Sequence, residues 1–209
     1  MSYPTLKLTY FNAPGRAELT RLALFINDVP FEDERLDRDQ FLARKPTLPF
    51  KQVPTLTING EVFAQSHGMA RYVGVLTGLY PSNDPLRAYR VDEILAFSDD
   101  IVNKLIPSLF EQDVTKKMAM RRELAEVTLP GLFPLLEARL RATPGGKYFV
   151  GDTLTLADIE LYCMRKNLTS GHLDGIPTTI IDAYPRWNAI ADAVAAHPKV
   201  QEWAAKHSS

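Results

Sequence analysis

Leu6-Lys7-Leu8-Thr9-Tyr10-Phe11-Asn12-Ala13-Pro14-Gly15-Arg16-Ala17-Glu18 is the stretch that decides the fold, because it predicts a short strand, a tight turn and a helix. Pro14 and Gly15 break the strand, and the apolar residues after them recur at the spacing of one helical face. Tyr10 lies at the junction, where a rigid sheet positions reactive groups. The helix N-terminus carries partial positive charge, so an anion near Tyr10 would be stabilised by the backbone and by Arg16.

The first eighty residues alternate predicted strands and helices around this stretch. The Asn59-Gly60 dipeptide favours a two-residue hairpin, and the acidic strand before it is expected to face water. The order is βαβαββα, which predicts a small mixed four-stranded sheet covered by helices. The predicted elements are strands at 6–10, 31–36, 55–58 and 61–64 and helices at 15–27, 40–45 and from Ser66.

The chain after Gly78–Pro85 reads as helix throughout, so this proline- and glycine-containing segment is the predicted linker. An apolar stripe from Val91 to Leu109 predicts one long helix, and a second is predicted from about Lys116 to Arg141. Pro130 and Pro134 are expected to kink that second helix. Later helices are predicted to begin at a Thr155-to-Asp158 capping box and at Tyr184-Pro185 and His197-Pro198, where each proline fits the first helical position.

Three motifs in order resemble one family. They are Leu8-Thr9-Tyr10-Phe11-Asn12 with Gly15-Arg16-Ala17-Glu18, then Thr47-Leu48-Pro49-Phe50-Lys51-Gln52-Val53-Pro54-Thr55-Leu56, then Gln65-Ser66-His67-Gly68-Met69-Ala70-Arg71-Tyr72. They resemble cytosolic glutathione transferases with a catalytic tyrosine, most of all the sigma class with its glutathione-dependent prostaglandin D synthases. The resemblance implies an α/β thioredoxin-like glutathione-binding domain at 1–78, a linker at 79–86 and an all-α domain at 87–209. The all-α domain would contribute the electrophile pocket and dimer contacts.

Composition limits the partners. The chain has 209 residues, of which 45% are hydrophobic and 23% charged, and a net charge of −1. Nucleic-acid binders concentrate Lys and Arg, so we expect no nucleic-acid partner. No apolar run approaches the length of a membrane span and no signal peptide is evident, so we expect a cytoplasmic protein without membrane contact.

Cysteine and histidine usage argues against redox and metal chemistry. The single cysteine, Cys163, excludes an intrachain disulfide and a Cys-x-x-Cys pair, and its apolar helical surroundings predict a small buried side chain. The four histidines are scattered and lack carboxylates at metal-ligand spacing, so we expect no metal site.

The implied chemistry needs a thiolate, because a thiol with a pKa of about 8.5 is mostly protonated at neutral pH. The resemblance supplies the sulfur from glutathione as cosubstrate, with no permanently bound cofactor. A phenol hydroxyl can donate a hydrogen bond to that sulfur and favour its ionised form, which is the role we expect for Tyr10. Arg16 either supports Tyr10 and orders the turn or pairs with a surface acid such as Glu18.

The resemblance also implies the residues that bind glutathione. It places a cis peptide bond at Val53-Pro54, with the Val53 backbone pairing with the cysteinyl part of the tripeptide. It places the γ-glutamyl carboxylate at Gln65-Ser66, where Ser66 is also a plausible N-cap. Phe41, Lys45 and Gln52 fall where relatives contact the glycyl end. Phe41 replaces a frequent tryptophan and cannot donate a hydrogen bond, and Lys45 can equally be a surface charge.

Four features bear on assembly and substrate. Asp100 matches an acidic residue that extends toward the glutathione amino group of a twofold partner, or it belongs to the polar face of its helix. Phe50 is either an interfacial plug or part of its own domain's core. Phe11, Asn12 and Ala13 are expected to line one wall of the electrophile pocket. Around Ile106-Pro107 the tryptophan of prostaglandin-isomerising relatives is missing.

These observations predict conjugation of glutathione to small hydrophobic electrophiles, a detoxification reaction. Two alternatives stay open. One is a non-catalytic binding or structural protein, because the same fold also serves as a lens protein and a carrier. The other is a glutathione-dependent isomerase or peroxidase, which would use the same thiolate.

Overall fold

The computed structural model describes residues 3–207, and its internal contacts divide the chain into two compact units. One unit comprises the residues up to Asn83 together with those from His197 onward, and the other spans Asp84–Ala196. The first is built on a four-stranded mixed sheet and the second is helical. The predicted fold class is therefore confirmed.

The first unit follows the predicted order of strands and helices. A 3-10 turn at Gly15–Ala17 leads into its first helix, and another at Lys45–Thr47 follows its second. Its elements are β1 (Leu6–Phe11), α1 (Glu18–Ile26), β2 (Glu32–Leu36), α2 (Arg38–Arg44), β3 (Thr55–Ile58), β4 (Glu61–Ala64) and α3 (Ser66–Thr77).

The sheet has the order β2-β1-β3-β4, with β1 parallel to β2 and antiparallel to β3. Leu6 and Leu8 of the central strand are buried, whereas Lys7 between them is half-buried. The hairpin from β3 to β4 has φ of +49° at Asn59 and +91° at Gly60. Positive φ at both turn residues is what a type I′ turn requires, and this confirms the predicted hairpin.

The second unit packs its helices around a core of large side chains. Phe133 and Trp187 are fully buried, and their rings meet edge to face with centroids 5.2 Å apart. Cys163 is half-buried rather than buried as expected. The helices are α4 (Pro85–Phe110), α5 (Val114–Glu123), α6 (Leu129–Ala142), α7 (Leu156–Leu168) and α8 (Pro185–Ala195).

The long helix predicted from Lys116 to Arg141 is present as a continuous helical run from α5 to α6, interrupted by a π-helical turn at Leu124–Thr128. The Leu129 N–H donates to the Leu124 carbonyl five residues back. Pro130 has no N–H, and its ring collides with the carbonyl four residues back in a regular helix. The helix therefore adopts a wider turn just before Pro130, whose place the positions of the prolines alone did not predict.

The last helix, α9 (Pro198–Lys206), belongs to the first unit, although the sequence placed residues 87–209 in one helical domain. Val200 and Trp203 form its buried side. The Trp203 ring packs on Phe25 of α1 with ring centroids 5.0 Å apart. An apolar helical stripe does not state which partner buries it, so the sequence could not assign this helix.

Asp158 lies in the first turn of α7, and its side chain is fully buried. It accepts hydrogen bonds from the Phe149 N–H at 2.7 Å, the Thr155 N–H at 2.8 Å and the Thr155 hydroxyl at 2.7 Å. Burial raises the pKa of Asp158, and these donors oppose that effect. The carboxylate therefore ties the segment before α7 to the start of the helix.

Substitution Asp158→Ala is expected to lower the free energy of unfolding by about 3–5 kcal/mol, because buried donors would lose their acceptor. The measurement is urea unfolding followed by circular dichroism. Asp113→Ala is the matched control, since Asp113 caps α5 on the exposed surface through the Lys116 N–H at 2.9 Å. Asp113→Ala should lower the free energy of unfolding by about 1 kcal/mol. Equal losses in the two variants would contradict a special role for the buried cap.

Candidate active site

Tyr10 lies in β1 one residue before the strand ends, and its side chain is half-buried. Its hydroxyl oxygen accepts a hydrogen bond from the Arg16 backbone N–H at 3.3 Å. This N–H belongs to the 3-10 turn that opens toward the strand end, as the sequence predicted. No described residue accepts the Tyr10 hydroxyl proton, so the hydroxyl retains one hydrogen bond to donate.

Gly15 is required where the turn passes Tyr10. Its φ is +46°, and a Cβ at this position would lie 2.6 Å from the Tyr10 hydroxyl oxygen and 2.9 Å from Cε1 of the ring. At contacts this short, either the Tyr10 ring or the turn would have to shift. Glycine is therefore favoured at position 15 for two reasons, which are the backbone conformation and the close approach of the phenol.

Arg16 contributes to this arrangement through its backbone. The sequence left its side chain either supporting Tyr10 or pairing with Glu18. In the structure Glu18 contacts Arg21 and Trp203, and the Arg16 side chain is half-buried. The Arg16 main-chain N–H makes a polar contact with the Tyr10 hydroxyl.

Arg21 is a residue that the sequence reasoning missed. It is fully buried in α1, and its guanidinium donates to the carbonyls of Phe11 at 3.2 Å and Ala13 at 2.6 Å. The guanidinium carbon Cζ of Arg21 lies 5.8 Å from the centroid of the Tyr10 ring. The signal was present in the sequence, because Arg21 interrupts an otherwise apolar helical face and a buried cation requires several acceptors.

Asp33 in β2 orients two arginines toward the turn after β1. One carboxylate oxygen accepts from Arg21 Nε at 3.0 Å, and the other accepts from Arg35 Nε at 2.9 Å. Arg35 in turn donates to the Asn12 side-chain oxygen at 3.0 Å. The expectation that the acidic residues of this strand face water holds for the exposed Glu32 but is wrong for Asp33 and Glu34, because neighbouring cations pair with them inside the domain.

Glu34, the next residue, is the centre of a second cluster. Its carboxylate binds Arg44 of α2 at 2.5 and 2.8 Å, Lys7 at 2.9 Å and the Thr9 hydroxyl at 2.9 Å. The hydrogen bonds from Arg44 are the largest cause of a Glu34 pKa lowered to about 2, and the same carboxylate raises the pKa of Lys7. This cluster attaches α2 to the two strands beside Tyr10.

The predicted glycyl contacts lie along α2. The Phe41 ring packs edge to face on Phe11 with centroids 5.0 Å apart, and Phe11 packs on Tyr10 at 5.4 Å. Lys45 Nζ lies 5.8 Å from the Phe41 ring centroid. Phe41 and Lys45 are therefore connected to Tyr10 through rings packed edge to face, while Gln52 is exposed in the loop before β3.

Three predicted parts of the site meet at one edge of the sheet. Because β3 runs antiparallel to both β1 and β4, the end of β1, the start of β3 at Thr55 and the end of β4 lie side by side. Tyr10 is at the first position, Val53-Pro54 just before the second, and Gln65-Ser66 just after the third. The Val53-Pro54 peptide bond is cis, which confirms that prediction.

The expectation that Ser66 caps α3 is wrong by one position. Gln65 occupies the N-cap with φ of +79° and ψ of 102°, and Ser66 is the first helical residue. The chain turns at Gln65 and enters the helix directly, so the serine lies within the first turn. In the described chain no side chain caps this helix, and its first N–H groups point out of the helix end.

Other predicted features are placed as follows. Asp100 is exposed on α4 in the second unit, and Phe50 is 61% exposed, which disagrees with a role in its own domain's core. Among residues 3–207, no group of three or more His, Cys, Asp or Glu side chains is arranged to hold a metal ion. Within the same range, no helix has the length and apolar character needed to cross a membrane.

Substitution Gly15→Ala should destabilise the protein more than Gly78→Ala. Both glycines have positive φ, +46° and +77°, but only at Gly15 would the new methyl group meet Tyr10. Gly78→Ala is expected to cost about 1 kcal/mol of unfolding free energy, and Gly15→Ala about 1–3 kcal/mol more. Urea unfolding of both variants gives the comparison, and equal costs would mean that the Tyr10 ring is not held against the turn.

Comparison with known proteins identifies the family. The N-terminal domain of glutathione S-transferases matches residues 6–74, and the C-terminal domain of glutathione S-transferases matches residues 99–207. Glutathione S-transferase 1 of Ascaris suum is 38% identical over 166 residues, which cover 76% of this chain and 77% of that protein.

Two prostaglandin D synthases are also similar. The hematopoietic prostaglandin D synthase of Gallus gallus is 32% identical over 97% of this chain and 96% of its own. The structure of the Nilaparvata lugens prostaglandin synthase D superposes with a TM-score of 0.86 at 32% identity, covering 97% of this chain and 98% of that one. With its sheet, its helical unit and its tyrosine at the strand-to-helix junction, this chain belongs to the glutathione S-transferase family.

Proposed function

We propose that the protein is a glutathione transferase that ionises the glutathione thiol through Tyr10 and conjugates it to small hydrophobic electrophiles. The observation that carries this proposal is the Tyr10 hydroxyl, which accepts from the Arg16 N–H and keeps its own proton to donate. A hydroxyl that already accepts a hydrogen bond is polarised toward donation. Family membership supplies glutathione as the cosubstrate.

The chemistry is a displacement or addition at carbon. The Tyr10 hydroxyl donates a hydrogen bond to the sulfur and stabilises the thiolate, while the thiol proton leaves to solvent. The sulfur lone pair then forms the bond to the electrophilic carbon, and a leaving group such as chloride departs with its electron pair. Binding both reactants in one site supplies most of the remaining rate enhancement.

The placement of the predicted contacts supports a glutathione-binding mode along the sheet edge. The Val53 N–H and C=O would pair with the cysteinyl backbone as an added strand segment. The exposed N–H groups at Gln65-Ser66 suit the γ-glutamyl carboxylate. At the other end Lys45 would bind the glycyl carboxylate, with Gln52 and the Phe41 ring beside it. These roles are part of the proposal.

Glutathione-dependent isomerisation is the second candidate, favoured by the 32% identity to a hematopoietic prostaglandin D synthase. It would use the same thiolate, so only substrate screening separates it from conjugation. A non-catalytic carrier is distinguished more simply. Retention on immobilised glutathione with turnover of a chlorinated nitrobenzene supports the transferase, and retention without turnover of any substrate supports the carrier.

Substitution Tyr10→Phe should raise the pKa of the bound glutathione thiol by about 1–2 units, since a hydrogen bond to a charged group contributes about 1.5–3 kcal/mol. The readout is thiolate absorbance as a function of pH in the glutathione complex, with kcat/KM at pH 6.5 falling about 10–100-fold. Tyr3→Phe, at an exposed tyrosine, is the control. An unchanged titration in Tyr10→Phe would remove Tyr10 from the mechanism.

We also propose a cytoplasmic homodimer in which Asp100 of one chain reaches the glutathione amino group bound by the other. The exposure of Asp100 and of Phe50 is compatible with contacts to a second copy. Sedimentation equilibrium should give twice the mass of one chain. Asp100→Ala should raise the KM for glutathione about 3–10-fold and leave the KM for the electrophile unchanged. A monomeric mass or an unaltered glutathione KM would contradict the shared site.

A further inference from the structure

A buried chain of polar groups connects the turn after β1 to the C-terminal helix α9. Arg21 binds the turn, Glu18 binds Arg21, and Trp203 of α9 binds Glu18. Arg21 is fully buried, Glu18 is 7% exposed and Trp203 is 5% exposed. None of these side chains is among the residues that the proposed function uses.

The terminal nitrogens of Arg21 donate hydrogen bonds to the turn after β1. Its guanidinium reaches the carbonyl oxygens of Ala13 at 2.6 Å, Phe11 at 3.2 Å and Pro14 at 3.4 Å. The segment between the end of β1 and Gly15 therefore converges on one planar cation. A planar group with several fixed donors holds its acceptors in a defined arrangement, which a flexible ammonium does not. This segment lies in the chain between Tyr10 and Arg16, whose N–H donates a hydrogen bond to the Tyr10 hydroxyl.

The cation is held in place from both sides. Asp33 accepts from Arg21 Nε at 3.0 Å, and a Glu18 oxygen lies 3.5 Å from Arg21 NH1. A buried guanidinium with carboxylates on two sides is fixed by attraction that solvent does not screen. The guanidinium position, and with it the turn, depends on where these two carboxylates are.

Glu18 in turn depends on α9. Its second oxygen accepts from Trp203 Nε1 at 2.8 Å, and the indole is packed against Phe25 and against His207. A buried carboxylate oxygen without a donor is costly, so the indole N–H determines the rotamer in which Glu18 is stable. The last helix of the chain is thereby connected to the turn that carries Tyr10.

We propose that Arg21 is a positioning residue for Tyr10, and that the Trp203 indole, through Glu18, is the part of α9 that fixes it. The inference rests on the proposed function, because it concerns how well Tyr10 donates to the glutathione sulfur. A turn that loosens lets the Arg16 N–H move away from the Tyr10 hydroxyl. The hydroxyl then loses its orientation although no residue that touches glutathione has changed.

The decisive variant is Trp203→Phe, which keeps an aromatic ring and removes the indole N–H. In the glutathione complex the thiol pKa should rise by about 0.5–1 unit, and kcat/KM at pH 6.5 should fall about 3–10-fold with near recovery above the new pKa. Arg21→Lys keeps the charge and loses the planar donors, so it should raise the thiol pKa by a larger amount than Trp203→Phe does.

Trp187→Phe is the matched control. Trp187 is buried in the second unit and donates from Nε1 to the Leu161 carbonyl at 2.9 Å, so the substitution removes an equivalent hydrogen bond away from Tyr10. Its unfolding midpoint in urea should fall much as that of Trp203→Phe, while its thiol pKa stays at the wild-type value. A thiol pKa and pH profile unchanged in both Trp203→Phe and Arg21→Lys would overturn the inference and leave these residues a purely structural role.

The same substitutions in the Tyr10→Phe background separate this inference from the proposed function. If Arg21 acts through Tyr10, Arg21→Lys should raise the thiol pKa when Tyr10 is present. In the Tyr10→Phe background the same substitution should produce no further rise. An equal rise in both backgrounds would overturn the positioning role while Tyr10 keeps its own effect. A Tyr10→Phe titration identical to wild type would instead overturn the proposed function.

Discussion

The hydrogen bond from the Arg16 backbone N–H to the Tyr10 hydroxyl is the constraint on which the site depends. It joins the end of β1 to the first turn of the following helix, and so couples the position of a phenol to the geometry of the chain around it. Gly15 permits the close approach, and Arg21 holds the intervening carbonyls. A proton donor held this way needs little reorganisation when a charged sulfur binds beside it.

The charged residues of the first unit serve this geometry. Asp33 and Glu34 are adjacent in β2 and serve different purposes, since Asp33 orients the arginines at the turn and Glu34 attaches α2 to the sheet. A strand that reads as hydrophilic is thereby built into the support of the site. Because Arg21 is fully buried among its acceptors, truncating one of its carboxylate partners would leave an uncompensated buried charge and destabilise the region.

The sequence predicted the parts of the fold that local chemistry determines. Alternating apolar residues and the Asn59-Gly60 turn specify their structures within a few residues, and both were confirmed. The cis bond at Val53-Pro54 was also confirmed, but it was predicted from the family resemblance, because the residues alone left the isomer open. The roles of Arg21 and α9 were missed because they depend on contacts between residues far apart in the chain. Trp203 and Glu18 are an example: no spacing rule relates positions separated by 185 residues. The π-helical turn before Pro130 was likewise missed, because a proline signals a disturbance without saying how the helix accommodates it.

The most direct test of the central claim is a crystal structure of the protein with glutathione bound. The account predicts the glutathione sulfur within about 3.5 Å of the Tyr10 hydroxyl oxygen, at the sheet edge between Val53-Pro54 and the start of α3, with the Arg16 N–H still bonded to that oxygen. A sulfur located elsewhere, or a Tyr10 hydroxyl turned away from it, would contradict the account.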